Sequence, residues 1–544
     1  MSRKNMSKVW SYFEKVDVHS SKCKTCDATF NNKSSTTSLW NHYNQFHRLE
    51  NGFDNVDTES SQSTNQDTES DQTNIEPPRK KHRMSLVSSA VNGRPLNQAR
   101  QELITQSLSN MICVDMLPYN TVDHEGFRKF MNVIEPQYII PSRKNIKNRI
   151  HNLYEDKFNS IKEKIRSINE IALTTDAWTS LAIDSYITIT GHFIDNDWML
   201  HCFNMYTGEL SKNHTSEYLK ETLQEVMENW NVDGKVSGIT HDNAYNITKA
   251  IKKLQEDTNE GCRSMPCAVH TLQLAVNKGL GIDECIAISK KASSIVSAFK
   301  HSYKRTTALE SYIINNVLLK PLELATSVLC ADKKATISIV RPIISSLLSN
   351  KFKINTSDNE LTVKFKSIVS NELSERFGFG IHNDNILIGK PKVSVFACLL
   401  DPRHKNLNHE TSENVKEHIR HTVKSLIQSY EETSYENDHG QINKNTTAMD
   451  ILLGEADISY NEFEQYISEI QINHNLDPCM WWKEHETIYP TIAKVAKNIL
   501  CIPASSASSE RVFSTAGNIV TSKRNRLNAK NVSTLVFLKQ NNNI

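Results

Sequence analysis

A series of apolar segments between residues 171 and 254 limits the folds that this chain can adopt. The segments IALTTDAWTS, SYITITGHFI and WMLHCFNMY predict three consecutive strands, the second with period-two alternation of apolar and polar residues. The segment HTSEYLKETLQEVMENW then has the spacing of an amphipathic helix capped by Thr215 or Ser216. KVSGITHDNAYNITKAIKKL predicts a fourth strand and a second helix. The predicted order is strand, strand, strand, helix, strand, helix.

Two aspartates end predicted strands in this series, Asp176 after the first strand and Asp242 after the fourth. This order of elements resembles the RNase H-like arrangement, which implies that adjacent strands bring both carboxylates to one edge of the sheet. Sites of phosphoryl transfer need such a cluster, because carboxylates hold the divalent cations that stabilise the attacking and leaving oxygens. An aspartate after a strand is also a common turn or helix-cap residue, and that alternative stays open for Asp176 at this point.

Length and composition exclude a small module and a membrane protein. A chain of 544 residues predicts roughly three or four domains. No apolar run approaches the ~18 to 20 residues of a membrane helix, and the segment MSRKNMSKVWSYFEK lacks the apolar core of a signal peptide. We therefore expect a soluble intracellular protein without a membrane partner. The 11 cysteines are scattered, which argues against a disulfide scaffold.

Residues 23 to 47 predict a zinc site. They contain a C-x2-C pair, fifteen further residues and an H-x4-H pair. Four nitrogen and sulfur ligands suit tetrahedral zinc, and a segment of ~50 residues with few apolar side chains needs such a staple. The predicted ligands are Cys23, Cys26, His42 and His47. The predicted core of this module consists of Trp10, Phe13, Phe30 and Trp40.

The segment SKVWSYFEK and the ligand spacing resemble a BED-type zinc finger, which we place at residues 1–50. BED fingers bind DNA, so the resemblance implies double-stranded DNA as a partner. Residues 1–50 carry eight Lys and Arg against four Asp and Glu, which suits contacts with phosphate. The alternative, a solvated basic surface without a function, stays open.

Residues 51–95 predict a disordered linker. Residues 51–76 have seven acidic residues and neither Lys nor Arg, a composition that buries too little apolar surface to fold. The basic cluster PPRKKHR at residues 77–83 is typical of a nuclear import signal, and we predict a nuclear protein. A chance basic patch is the alternative for this motif alone.

Residues 96–165 predict a helical domain. EGFRKFMNVI and the segment that begins PSRKNIKNRI repeat apolar residues every three or four positions, with Pro141 and Ser142 at a helix start. Arg143, Lys144 and Lys147 near that start are candidate contacts with the DNA backbone. A solvated helix face explains them equally well.

Several motifs in a fixed order resemble the hAT transposase family. They are EGFRKFMN, LTTDAWTS, THDN, CAVHTLQL, LLDPRHK and SSERVFS. The resemblance implies an RNase H-like α/β core that starts at 166–275, a large α-helical insertion at 276–500, and the end of the core with a C-terminal hAT dimerisation region at 501–544. It also implies an acidic triad of Asp176, Asp242 and Glu510 that binds Mg²⁺ or Mn²⁺. Cys267 and His270 match a family C-x-x-H motif, as DNA-contact candidates or as packing residues beside the core.

One family segment is absent from the sequence. Family members usually carry an Arg-Trp motif early in the insertion, whose Trp is implicated in stabilising a flipped base, whereas no Trp occurs here between Trp230 and Trp481. Losing a stacking platform removes roughly 1 to 3 kcal/mol per base. We therefore predict a dimerising DNA-binding regulator of transcription derived from a hAT transposase. The alternative is an active transposase with a two-metal site.

The apolar segment NVSTLVFLK near the chain end predicts self-association as a homodimer or higher oligomer.

Overall fold

The computed structural model describes most of the chain in segments. These segments are residues 8–17, 20–31, 39, 42–43, 96–179, 185–257, 262–299, 319–379, 392–437, 462–517 and 529–542. The chain divides into two compact units, residues 1–92 and 93–544. The predicted linker and its basic cluster lie outside the described residues, as do Trp40 and His47.

The first unit contains a small antiparallel sheet. Its strands are β1 (Phe13–Lys15), β2 (Ser20–Cys23) and β3 (Thr29–Asn31), in the order β1-β2-β3, and a 3-10 turn at Lys8–Ser11 precedes them. Phe13 pairs with Cys23 across the sheet, which puts an aromatic side chain beside a predicted zinc ligand. Its buried core consists of Val9, Phe13, Cys23, Leu39 and Tyr43, with Trp10, Tyr12 and Phe30 partly buried around it.

The second unit begins with three helices. They are α1 (Gln98–Val114), α2 (Glu125–Ile134) and α3 (Arg143–Arg166). Ser142 caps α3 by accepting a hydrogen bond from the Asn145 backbone, as Pro141-Ser142 predicts. The first half of α3 buries Ile146 and Ile150 among these helices, while its second half buries Ile161 and Ile165 against the neighbouring sheet. One long helix therefore joins the two hydrophobic cores.

The central sheet has five strands in the order β6-β5-β4-β7-β8. They are β4 (Ile171–Thr179), β5 (Ser185–Ile194), β6 (Leu200–Glu209), β7 (Val236–His241) and β8 (Arg263–Pro266). Strand β4 is antiparallel to β5 and parallel to β7, and helices α4 (Ser216–Trp230) and α5 (Tyr245–Asp257) flank β7 in the chain. Thr215 caps α4. The elements follow the predicted order.

Two predictions about this sheet are wrong. Asp176 does not end its strand, because β4 continues to Thr179 and pairs Trp178 with Tyr186 of β5. The fifth strand, β8, is missing from the prediction because four residues of sequence RSMP carry no alternating pattern. It pairs parallel with β7 and leads directly into the Cys267 segment.

The regular elements in the described part of residues 276–500 are helices and short helical turns, joined by loops. The helices are α6 (Ala268–Leu280), α7 (Asp283–Phe299), α8 (Lys320–Leu329), α9 (Val340–Ser346), α10 (Glu360–Phe377), α11 (Val393–Phe396), α12 (Glu413–Asn437), α13 (Glu462–Ser468), α14 (Pro478–His485) and α15 (Pro490–Leu500). Their apolar faces form one core around Trp482 and Ile492, both fully buried. No helix among the described residues has the length and apolarity needed to cross a bilayer.

The last two helices are α16 (Ala507–Gly517) and α17 (Ala529–Gln540). The expectation that NVSTLVFLK leaves apolar surface exposed is wrong. Val532, Leu535, Val536 and Phe537 are all buried within this chain, against α1, α3 and the sheet. The Asn541 side chain fixes the end of α17 by pairing with both the backbone N–H and C=O of Asn204, each at 2.9 Å.

Candidate metal centres

The finger brings three predicted zinc ligands together. Cys23 ends β2, Cys26 lies in the turn that follows, and the ligand atoms of Cys23, Cys26 and His42 are within 4.8 Å of one another. Cys26 Sγ and His42 Nε2 are 3.2 Å apart. The turn closes through Asp27, whose backbone has a left-handed φ of 62°. Among the described residues this is the one group of three or more such side chains with ligand atoms so close.

The chemistry of this group fits zinc. Burial raises the pKa of Cys23, but hydrogen bonds from Thr25 and Cys26 outweigh it and leave that pKa below its usual value. A thiol that ionises more easily is a better zinc ligand, because the metal binds the thiolate. His47, the fourth predicted ligand, lies outside the described residues and stays a prediction.

The sheet and α16 bring the predicted acidic residues to one place. Thr174 of β4 pairs with Thr240 of β7, so Asp176, within β4, and Asp242, directly after β7, lie at the same level of two neighbouring parallel strands. Glu510 lies in the first turn of α16. The three carboxylates do not form a group with all ligand atoms within 4.8 Å, as far as the described residues go. They nevertheless act on one another electrostatically.

The pKa of Asp176 is raised by its surroundings in this cluster. Burial, the charge of Asp242 and the charge of Glu510 together raise the pKa of Asp176 to about 7, against one opposing hydrogen bond from the Ala177 backbone and the charge of His270. Repulsion among uncompensated carboxylates is what a divalent cation relieves, so the donor set fits Mg²⁺ or Mn²⁺.

A chain of buried hydroxyl groups holds α16 on the sheet. Ser509 Oγ is 2.7 Å from Thr174 Oγ1, and Thr174 in turn lies 2.5 Å from Thr190 Oγ1. Thr190 Oγ1 is in turn 2.8 Å from His192 Nε2. Burial lowers the pKa of His192 to about 3, so the ring is neutral and can accept or donate within the chain. Ser506, the residue just before α16, donates a hydrogen bond from its Oγ to Glu510 Oε1 at 3.2 Å.

We expect Thr174→Val to destabilise the protein by about 1–3 kcal/mol, because it leaves the buried hydroxyls of Ser509 and Thr190 without a shared partner. Thr179→Val at the exposed end of the same strand is the matched control and should change stability by less than about 0.5 kcal/mol. Chemical denaturation of the full chain measures both. Equal effects of the two substitutions would show that the hydroxyl chain contributes nothing.

Cys267 and His270 lie beside this cluster in different environments. Cys267 is fully buried at the start of α6, and its sulfur accepts a hydrogen bond from the Ser506 backbone at 3.4 Å. It is therefore not available to DNA, and the packing interpretation fits it. His270 is partly exposed, with Nε2 3.7 Å from Glu510 Oε1.

Cys267 also determines the charge of His270. Its sulfur is the main cause that raises the pKa of His270 to about 9; burial opposes this shift, and Glu510 and Asp176 add to it. His270 Nδ1 is buried and makes no hydrogen bond of good geometry in the described structure. The result is an imidazolium facing the acidic cluster.

Aromatic packing beside the acidic cluster was not predicted. The Trp178 ring stacks on Tyr186 at 5.1 Å between centroids and meets Phe513 of α16 at 5.7 Å. Trp178 also packs on Met116, Val512, Val532 and Val536. The serine-rich segment SSASSE was the available signal for the anchoring of α16, because four buried serines in six residues need hydrogen-bond partners.

The three basic DNA-contact candidates lie on α3. Arg143, Lys144 and Lys147 are exposed in its first turns, and none of them is paired with an acidic group in the described part of the chain. Arg149, one turn on, is paired with Glu102 instead. These positions leave the three side chains free to reach a phosphate backbone, and their role stays a prediction.

Three known families match successive segments of the chain. The BED zinc finger matches residues 7–48, the ZBED1 RNase-like domain matches residues 174–265, and the hAT family C-terminal dimerisation region matches residues 462–542. The chain therefore combines a BED zinc finger with an RNase-like domain and a hAT dimerisation region. The matches include Cys23, Cys26 and His42 in the finger, and Asp176 and Asp242 in the RNase-like domain.

Relatives of this BED-finger protein carry names of two kinds. It is 25% identical to the putative AC transposase of Zea mays over 84% of this chain and 68% of that one. It is 22% identical to the putative transcriptional regulator tpeD of Talaromyces stipitatus, over 79% and 61% of the two chains. It is also 22% identical to zinc finger BED domain-containing protein 4 of Homo sapiens, over 99% and 52%. The names of these relatives include a transposase and a transcriptional regulator, so the similarity accords with either function.

Proposed function

We propose that this protein binds double-stranded DNA in the nucleus through its BED finger, associates with itself and regulates transcription. The observation that carries the proposal is the convergence of Cys23, Cys26 and His42 in the three-stranded finger. A zinc-stapled module with a cationic surface binds DNA by neutralising phosphates. The finger supplies recognition, and Arg143, Lys144 and Lys147 supply further backbone contacts.

We expect binding of the full chain to duplex DNA to weaken as salt rises, because each neutralised phosphate releases counterions. Replacing Lys144 and Lys147 by alanine should weaken binding to all sequences and reduce the salt slope by about 1 to 2. Replacing Lys252 and Lys249 on α5 by alanine is the control, with no change expected. Equal slopes for all three proteins would remove α3 from the interface.

Self-association is proposed for the region that matches the hAT dimerisation region. Because the apolar face of α17 is buried in its own chain, we assign the contact surface to other residues of 462–542. The loops and helix between Ser468 and Pro490 supply it, since they expose Ile470 by 87% and Leu476, Met480 and Ile488 by about half. Exposed apolar residues in one short stretch are typical of a protein interface.

We expect Ile470→Asp to shift the full chain towards monomer at micromolar concentration, because a charge placed in an apolar interface must be desolvated. Ile139→Asp is the matched control, since Ile139 is 77% exposed outside the dimerisation region. Light scattering coupled to size exclusion measures both. A monomer before any substitution, or an equal effect of both substitutions, would refute this interface.

A second candidate function is strand cleavage at the acidic cluster. The observation that favours it is the shared electrostatics of Asp176, Asp242 and Glu510. A bound Mg²⁺ or Mn²⁺ would stabilise the charge that develops on the phosphate oxygens. The chain itself would orient Glu510 through Ser506 and the anchored α16, and His270 would add a positive charge beside it. The absent Arg-Trp segment argues against this function, so we propose regulation as the main role.

A further inference from the structure

The helix that carries Glu510 is held from two sides. On one side, Ser509 of α16 shares the buried hydroxyl chain with Thr174 of the sheet, at 2.7 Å. On the other side lie residues 329–332, which end α8 and follow it; we call them the anchor segment. Side chains of residues 505–511 donate hydrogen bonds to this segment. The helical region of the chain therefore holds α16 as well as the sheet does.

Asp332 joins two of the contacts between α16 and the anchor segment. Ser508 Oγ donates a hydrogen bond to Asp332 Oδ1 at 2.9 Å, and the guanidinium group of Arg511 forms an ion pair with the same carboxylate. Arg511 Nη2 also donates to the Cys330 carbonyl oxygen at 2.6 Å. Ser508 and Arg511 are three residues apart on α16, so they lie on one face of this helix. Asp332 therefore links that face of α16 to the end of α8.

The serine contacts with the anchor segment are buried. Ser505, which precedes α16, donates from Oγ to the Leu329 carbonyl oxygen at 3.1 Å. Ser505 is 3% exposed and Ser508 is 8% exposed, whereas the side chains of Asp332 and Arg511 are 36% and 49% exposed. Losing a buried hydrogen bond is costly, while an exposed ion pair alone contributes little. The hydrogen bond from Ser508 to Asp332 is therefore the more important of the two contacts that Asp332 makes.

Glu510 lies between these two sets of contacts. Its neighbour Ser509 is held on the sheet and its neighbour Arg511 is held on the anchor segment, so the backbone at Glu510 is fixed from both sides. The main charges that change the pKa of Asp176 are those of Asp242, Glu510 and His270, and Asp332 is not among them. We therefore assign any effect of Asp332 on the acidic cluster to the position of α16 rather than to its own charge.

We propose that Asp332 is a positioning residue for the acidic cluster: by accepting the hydrogen bond from Ser508, it fixes the turn of α16 that presents Glu510 to a divalent cation. This inference rests on the binding of Mg²⁺ or Mn²⁺ by the cluster, which belongs to the second candidate function above. Residues that orient a metal ligand without touching the metal commonly change the affinity by about 10- to 100-fold. The proposal gives the end of α8 a part in metal binding, although α8 itself supplies no ligand.

The test measures the dissociation constant of Mn²⁺ from the zinc-loaded full chain, through the electron paramagnetic resonance signal of free Mn²⁺. Binding at the acidic cluster is the part that Asp176→Asn removes. We expect Asp332→Ala to weaken this binding by about tenfold, because Ser508 loses the acceptor that fixes its turn of the helix. Glu323→Ala on α8 is the matched control. The Glu323 carboxylate is exposed and pairs with Lys320, so its loss should leave the dissociation constant unchanged.

Two further variants separate hydrogen bonding from charge and from stability. Asp332→Asn removes the charge but keeps an oxygen that accepts from Ser508, so it should bind Mn²⁺ almost as tightly as the unchanged protein. Ser508→Ala keeps every charge and should weaken binding about as much as Asp332→Ala. The double variant should add little, because both substitutions remove the same contact. A contact that served stability alone would lower the midpoint of denaturation and leave the Mn²⁺ affinity unchanged.

Three results would overturn the proposal. The first is an unchanged or tighter Mn²⁺ affinity in both Asp332→Ala and Ser508→Ala. The second is an equal loss in Asp332→Asn and Asp332→Ala, which would assign the effect to charge. In either case Mn²⁺ binding that Asp176→Asn removes would still support metal binding by the cluster. The third result, no such binding by the unchanged chain, would refute both the metal site and this inference.

Discussion

Replacing Cys26 by serine should leave the full chain without bound zinc and unfold the finger. The described core of the finger has five buried side chains, so zinc binding supplies most of the stability of this module. Losing one ligand removes most of a binding free energy on the order of 10 kcal/mol. Elemental analysis should give one zinc per chain before the substitution and less than a tenth of that after it. DNA binding should be lost with the zinc.

A matched cysteine outside the finger controls this experiment. Cys285 on α7 is only partly buried and belongs to no ligand group in the described part of the chain, so Cys285→Ser should keep one zinc per chain. His47→Ala tests the ligand that the structure does not describe. If the double variant Cys26→Ser, His47→Ala still held one zinc, the assignment of the finger would be wrong.

The Asp176→Asn variant should be more stable than the unchanged protein at pH 8 in the absence of divalent cations. The folded-state pKa of about 7 exceeds the ordinary 3.8, so the unfolded chain releases this proton first as pH rises. Stability therefore falls between about pH 4 and pH 7 and is level above that range. The difference corresponds to on the order of 4 kcal/mol at 1.36 kcal/mol per pH unit.

Unfolding at several pH values tests this prediction. The Asp176→Asn variant and the unchanged protein should have equal stability near pH 4, and their stabilities should diverge towards pH 8. Asp233→Asn, in an exposed turn, should leave the stability of the protein the same at both pH values. Mn²⁺ should recover part of the lost stability of the unchanged protein at pH 8 and none in Asp176→Asn. Parallel pH profiles for the two proteins would contradict the electrostatic coupling of Asp176 with Asp242 and Glu510.

The local patterns predicted local structure well. The spacing of Cys23, Cys26 and His42 identified ligands that meet because a turn after β2 needs few residues to close. Alternation and capping residues located β5, α4 and the start of α3. The predicted end of β4 at Asp176 was wrong, because pairing with β5 extends this strand beyond the point where its apolar residues stop.

Contacts between distant segments were the part that sequence reasoning missed. The apolar residues of α17 looked exposed because the sequence does not reveal that α1, α3 and the sheet cover them. The link between Ser509 and Thr174 joins residues 335 positions apart, and only the fold brings them together.

The most direct test of regulation without cleavage uses the duplex that the full chain selects from a random library. That duplex is incubated with the protein and Mn²⁺, and both occupancy and strand breaks are measured. We predict full occupancy, loss of occupancy in Cys26→Ser, and no strand break above the level without protein. Breaks at a fixed position, produced by the unchanged chain and lost in Glu510→Gln, would contradict this account and identify the protein as a nuclease of the transposase type.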